Sequence, residues 1–72
     1  MALSAEQLRA QVLDTLGLGT EEVGDTDDLL ELGLDSIRLM SLVERWRADG
    51  ADIGFVELTE DPTIAAWQRK LV

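Results

Sequence analysis

The chain has neither histidine nor cysteine. A serine nucleophile needs a neighbouring base to take its proton, most often a histidine, so triad-type catalysis has no support here. Without cysteine there is no disulfide framework, no thiolate metal site and no thiol nucleophile, and the redox compartment stays open. Positive charge is scarce as well. Six Lys and Arg stand against fifteen Asp and Glu, for a net charge of −9. Phosphate binding needs clustered Lys and Arg, which argues against nucleic acid as a partner. Basic partner surfaces are the natural counterpart, and attraction would speed their encounter. No apolar run approaches the roughly 18 residues of a membrane span, which argues against a membrane role. The N-terminus lacks the basic-then-apolar order of a secretory signal. A cytoplasmic protein is expected.

What is present suffices for one small domain over residues 1–72, with 46% apolar residues to build a single core. Ser4 with Gln7 three residues on forms a capping box, and Leu3 with Leu8 fits a hydrophobic staple. Leu8, Val12 and Leu16 recur at a spacing of four and give the first helix one apolar stripe, which Gly17 ends. Residues 17–35 then form a long connection rich in Gly, Thr and acids. Between residues 10 and 37 there is no Lys or Arg but there are eight acids. A loop this long in a small domain commonly has a function. Within it, Thr26 is expected to cap a helical turn over 27–32, with Leu29, Leu30 and Leu32 pinning the loop to the core.

A second helix is predicted over 36–49, with Asp35 as N-cap, Arg45 and Arg47 in the last turn, and Gly50 as the stop. At about 100° per residue, Leu39, Leu42, Val43 and Trp46 share the core face. Ile37 and Met40 fall toward the other side with Glu44 and Ala48, and Met40 lies next to Ser36. A second apolar patch beside Ser36 follows from periodicity alone. Residues 53–58 can be read as a strand, but no second strand exists to pair with it. A short third helix near 55–59 is the better reading. A fourth follows, with Asp61 as N-cap, Pro62 at its first position, and Ile64, Trp67 and Leu71 on its core face.

The helix start at Ser36 is the chemically distinctive point. Unpaired backbone N–H groups and the helix dipole there favour a phosphate. The nearby Asp35 would oppose one unless a cation or a modifying enzyme compensates. Asp35 and Ser36 also make an ordinary capping pair, a common arrangement. The long acidic loop ending at the serine and the outward apolar residues after it favour a special role. In a chain without a base, the hydroxyl is better suited to be acted on than to act.

Gly33-Leu34-Asp35-Ser36-Ile37, with Arg38-Leu39-Met40 after it, resembles the attachment motif Gly-x-Asp-Ser-hydrophobic of the acyl and peptidyl carrier superfamily. The likeness runs along nearly the whole chain. The run 36–40, Arg45-Trp46-Arg47 and the stretch Pro62-Thr63-Ile64-Ala65-Ala66-Trp67 are most similar to aryl carrier domains of siderophore-type nonribosomal peptide biosynthesis. The resemblance implies an all-α, small four-helix bundle of carrier-protein type, with three main helices, a short third helix and a long loop between the first two. It implies 4′-phosphopantetheine, transferred from coenzyme A to Ser36 by a phosphopantetheinyl transferase with magnesium. It further implies a non-catalytic, monomeric shuttle. The arm would carry an acyl group, an aryl acid such as salicylate or 2,3-dihydroxybenzoate, as a thioester from an adenylation enzyme to a condensation or other downstream synthase domain. Asp35 flanks the attachment point in the motif, and Ile37, Arg38, Met40 and Phe55 stand as partner contacts.

Alternatives stay open at this point. Leu34 stands where peptidyl carriers usually have glycine. Arg38 stands where fatty acid carriers usually have acids. A peptidyl or acyl carrier for another carboxylic acid remains possible, as does an unmodified acidic helical interaction module in which Ser36 is a cap or a phosphorylation site. Ile37, Met40 and Phe55 can instead pack inward, and Trp46 and Trp67 read as core aromatics. No metal site is expected. An EF-hand loop begun at Asp25 would put Leu29 at the fifth and Leu30 at the sixth position, where an oxygen ligand and glycine belong. Gly17-Leu18-Gly19 lacks the strand and third glycine of a dinucleotide site.

Overall fold

The computed structural model describes residues 3–71. Four helices follow one another: α1 (Ala5–Leu16), α2 (Ser36–Ala48), α3 (Phe55–Glu60) and α4 (Ile64–Leu71), with no strand among the described residues. The expected all-α bundle is therefore what forms, and the segment open to a strand reading is helical from Phe55 on. α1 packs against α4 and α2, and α3 packs against α2.

α1 starts as the capping box dictates. The Ser4 hydroxyl accepts from the Gln7 amide at 3.1 Å, and the Ser4 amide donates to Gln7 Oε1 at 2.9 Å. Leu3 and Leu8 are both buried. Gly17 closes the helix at φ 71°, in the left-handed region that favours glycine.

Two tryptophans sit at the centre. Trp46 of α2 and Trp67 of α4 meet edge to face, with ring centroids 5.8 Å apart and planes at 73°. Both indole N–H groups are satisfied. Trp46 donates to Gln11 Oε1 at 2.6 Å, and Trp67 donates to the Leu58 carbonyl at 3.0 Å. Around them pack Leu8 and Val12 of α1, Leu39, Leu42 and Val43 of α2, Leu58 of α3, and Ile64 and Leu71 of α4, all buried. The core faces read from the spacing of α2 and α4 are the ones observed, and Leu16 is half-buried at the edge.

The segment between α1 and α2 is a series of turns, and several expectations about it change. The turn after residue 27 is capped by Asp28, not Thr26: Asp28 Oδ1 accepts from the Leu30 amide at 2.9 Å, and its carbonyl accepts from Leu32 at 3.3 Å. Leu29 is fully buried and Leu32 partly so, but Leu30 is 44% exposed. The Leu29 amide is fixed to the Pro62 carbonyl at 2.8 Å. With Leu29 turned inward, the next residue in a helical turn must point elsewhere.

The same bond delays α4. Pro62 gives its carbonyl to Leu29, and the helical ladder opens two residues later than expected, with the Trp67 amide bonded to the Thr63 carbonyl at 3.1 Å. Thr63 replaces Asp61 as N-cap, its hydroxyl accepting from the Ala66 amide at 3.1 Å. Pro62 accordingly precedes the helix. The Ala65 amide, free at a helix start, bonds the Asp25 carbonyl at 2.8 Å.

These contacts separate adjacent leucines energetically. Leu29→Ala is expected to lower the unfolding free energy by about 2–5 kcal/mol, as a buried leucine truncation does. Leu30→Ala should change it by no more than about 0.5 kcal/mol, as at ordinary surface positions. Urea denaturation measures both, and equal losses would contradict the burial pattern.

Candidate functional site

The approach to α2 is built residue by residue. Gly33 adopts φ 111°, outside the range that L side chains readily take. That turn directs Leu34 into the core, where it is 4% exposed and its amide bonds the Leu29 carbonyl at 3.1 Å. Asp35 follows in extended conformation (φ −112°, ψ 174°) as N-cap. Its Oδ1 accepts from the Arg38 amide at 2.8 Å, and its carbonyl accepts the first helical bond, from Leu39, at 2.9 Å. Ser36 is then the first residue of α2 and is exposed.

Among the described residues, the Ser36 hydroxyl and the Ser36 and Ile37 amides have no protein hydrogen-bond partner. An exposed hydroxyl beside two free helix-start amides is a donor set that fits a phosphodiester on that hydroxyl. The carboxylate that opposes an anion is committed elsewhere. Asp35 is engaged with the Arg38 amide and has the Arg38 guanidinium 3.9 Å away, both side chains largely solvated. That loose pair contributes little by itself. There is no cavity, and no group of three or more His, Cys, Asp or Glu is placed to hold a metal ion, among the described residues. No described helix is long and apolar enough to cross a membrane.

Around Ser36 the surface is partly apolar. Ile37 is 83% exposed and Met40 40%, on the side of α2 away from its core stripe. Arg38, Arg45 and Arg47 are exposed on the same helix, whose only acid is Glu44. α2 is thus locally positive in a protein of net charge −9. Phe55 is half-buried and packs against the core, while its neighbour Val56 is 68% exposed. Val56 went unread in the sequence. The spacing of Phe55 and Leu58 carries the signal, because turning those two inward leaves Val56 outside. Leu34 was also unread as an anchor; its signal is an apolar residue held between a turning glycine and a capping aspartate.

The cap gives a direct test. Asp35→Ala is expected to cost about 1 kcal/mol of stability, while Asp35→Asn, an equally good cap, should stay near the parent chain. Chemical denaturation of the two variants measures the difference, and equal loss in both would contradict a capping role.

Comparison with known proteins bears on the same residues. The family model described as "Phosphopantetheine attachment site" matches residues 6–69. The chain is similar to isochorismatase of Bacillus subtilis, 48% identical over 68 residues that make up 94% of this chain and 22% of that protein. It is 44% identical over 66 residues to phenyloxazoline synthase MbtB of a Mycobacterium species, covering 92% of this chain and 6% of that protein. Enterobactin synthase component B of Escherichia coli is 44% identical over 68 residues, 94% of this chain and 24% of that protein. The chain therefore spans less than a quarter of the length of these curated relatives. With the match running from α1 to the last turn of α4, the chain belongs to the phosphopantetheine attachment-site family, whose prosthetic group is covalently bound 4′-phosphopantetheine.

Proposed function

We propose that Ser36 is the attachment residue and that residues 1–72 act as one carrier domain. The observation that carries the reading is the unencumbered Ser36 hydroxyl at the start of α2, inside the matched segment. The attached group supplies a flexible arm and a terminal thiol that holds an acyl group as a thioester. The chain's own residues prepare the place. Gly33 and Leu34 set the turn, Asp35 fixes the first turn of α2, and the free Ser36 and Ile37 amides face the phosphodiester. The serine oxygen would bond to the pantetheine-bearing phosphorus of coenzyme A as the pyrophosphate P–O bond breaks and 3′,5′-ADP leaves. The chain has no histidine and its Asp35 carboxylate is engaged by the Arg38 amide, so the proton of the serine is assigned to a base of the transferase.

The domain then serves as a non-catalytic, monomeric shuttle. It receives an acyl group from an adenylation enzyme and presents it to a condensation or other downstream synthase domain. Tethering raises the effective concentration of that group at each partner. Ile37, Arg38 and Met40 form the face that partners meet, with Phe55 and Val56 at its α3 edge. The cargo is an aryl acid, salicylate or 2,3-dihydroxybenzoate, in siderophore-type nonribosomal synthesis. The relatives' names support this, since one of them makes a phenyl-bearing ring. A cytoplasmic site follows from the need for coenzyme A and ATP.

Intact mass tests the reading. Incubation with coenzyme A, magnesium and a broad-specificity phosphopantetheinyl transferase should add one phosphopantetheine to the chain and none to Ser36→Ala. Addition to both would move the attachment point, and addition to neither would leave Ser36 as an unmodified first residue of α2. The modified chain, offered salicylate or 2,3-dihydroxybenzoate with the matching adenylation enzyme and ATP, should gain the acyl mass. Loading with a non-aromatic acid instead would make it a carrier of another branch.

A further inference from the structure

Arg9 is the only basic residue before Arg38. Its side chain is 24% exposed and reaches from α1 into the long loop. The guanidinium donates to the Thr20 carbonyl at 2.9 Å, to the Thr20 hydroxyl at 3.3 Å, to the Val23 carbonyl, and to Asp25 Oδ1 as an ion pair. One planar fork thus fastens three loop residues to α1, a geometry that lysine cannot reproduce. α1 needs none of these bonds, because its own ends are capped.

The fastening continues toward Ser36. Asp25, held through its carboxylate, accepts the Ala65 amide on its carbonyl at 2.8 Å. Four residues on, Leu29 donates to Pro62 at 2.8 Å, and Leu34 donates back to Leu29 at 3.1 Å. Asp35 and Ser36 follow directly. A run of bonds therefore connects α1, through the loop and the start of α4, to the first turn of α2.

The area of an encounter makes this matter. A weak or standard complex buries about 600–800 Å² on each partner. The whole domain exposes 4249 Å² and measures 28 × 22 × 18 Å. An enzyme seated over Ser36 covers about a seventh to a fifth of that surface, so it also covers the loop leading into the serine. The seven acids of this loop repel one another with no base among them, and without Arg9 the loop would spread.

We infer that Arg9 is a positioning residue for the loading of Ser36: it holds the α1–α2 loop in one conformation, so that the transferase meets the loop and serine preformed. The inference rests on Ser36 being the attachment residue. The test is steady-state transfer from coenzyme A by a phosphopantetheinyl transferase, with the carrier as varied substrate and its folded fraction known. Amide hydrogen exchange at Leu29 and Leu34 is followed in the same proteins. Arg9→Ala should raise KM for the carrier about tenfold and leave kcat within about twofold, the signature of lost binding rather than lost chemistry. Exchange at Leu29 and Leu34 should quicken while Trp46 keeps its protection. Arg9→Lys should fall between, with KM raised about threefold, because it keeps the charge and loses the fork. A folded Arg9→Ala with the parent KM overturns the inference. Should that variant not fold, Arg9→Lys carries the test, and a parent KM with parent exchange overturns it. A parent chain that accepts no phosphopantetheine overturns the assignment of Ser36 instead, a result distinct from either.

Discussion

Four helices of this size hold together because two indoles touch all of them. Trp46 and Trp67 stack edge to face between α2 and α4, and their N–H groups reach outward to α1 through Gln11 and to α3 through the Leu58 carbonyl. Each ring buries about 150–250 Å² of surface, far more than any aliphatic neighbour. The polar ends matter as much. An indole N–H left unpaired in the core would cost about 1–3 kcal/mol, a large fraction of what a domain of this length can spare. Among the described residues no buried side-chain polar atom lacks a partner. The position of α2, and hence of its first residue, is therefore set from the centre of the molecule.

The loop before α2 obeys a different logic. Its acids cannot be buried and repel one another, so hydrophobic contact alone cannot order it. Three apolar side chains, Val23, Leu29 and Leu34, are sunk into the core. Main-chain bonds to the start of α4 and the Arg9 guanidinium hold what lies between them. α4 supplies free N–H groups because every helix start has them. One of these, on Ala65, is satisfied by the loop rather than by water.

Local rules made much of this readable in the sequence. The capping box at Ser4, the left-handed glycine at position 17, the core faces of α2 and α4, and the outward Ile37 and Met40 follow from spacing and residue type, because those interactions span only one or two helical turns. What escaped depends on residues far apart in the chain. The start of α4 shifted because Pro62 gives its carbonyl to Leu29, more than thirty residues earlier. Leu30 turned outward for the same reason. The role of Arg9 has no local signal, since nothing in its neighbourhood announces a partner eleven to sixteen residues on. At the candidate site, the exposed serine and its cap were legible from the motif. The buried Leu34 and exposed Val56 needed the packing to be seen.

The uneven charge has one more effect. Nine acids lie in the first 37 residues, with Arg9 the only positive charge among them, while Arg38, Arg45, Arg47, Arg69 and Lys70 lie beyond. With exposed arginines on α2 and exposed acids on the loop before it, the surface is electrically uneven as well as negative overall. An approaching charged surface exerts a torque on such a body before contact, and within a Debye length, about 8 Å at physiological salt, it can turn the molecule on arrival. On the proposed carrier role, orientation during approach is a form of selection. It discriminates among partners by the shape of their fields before any side chain is in reach.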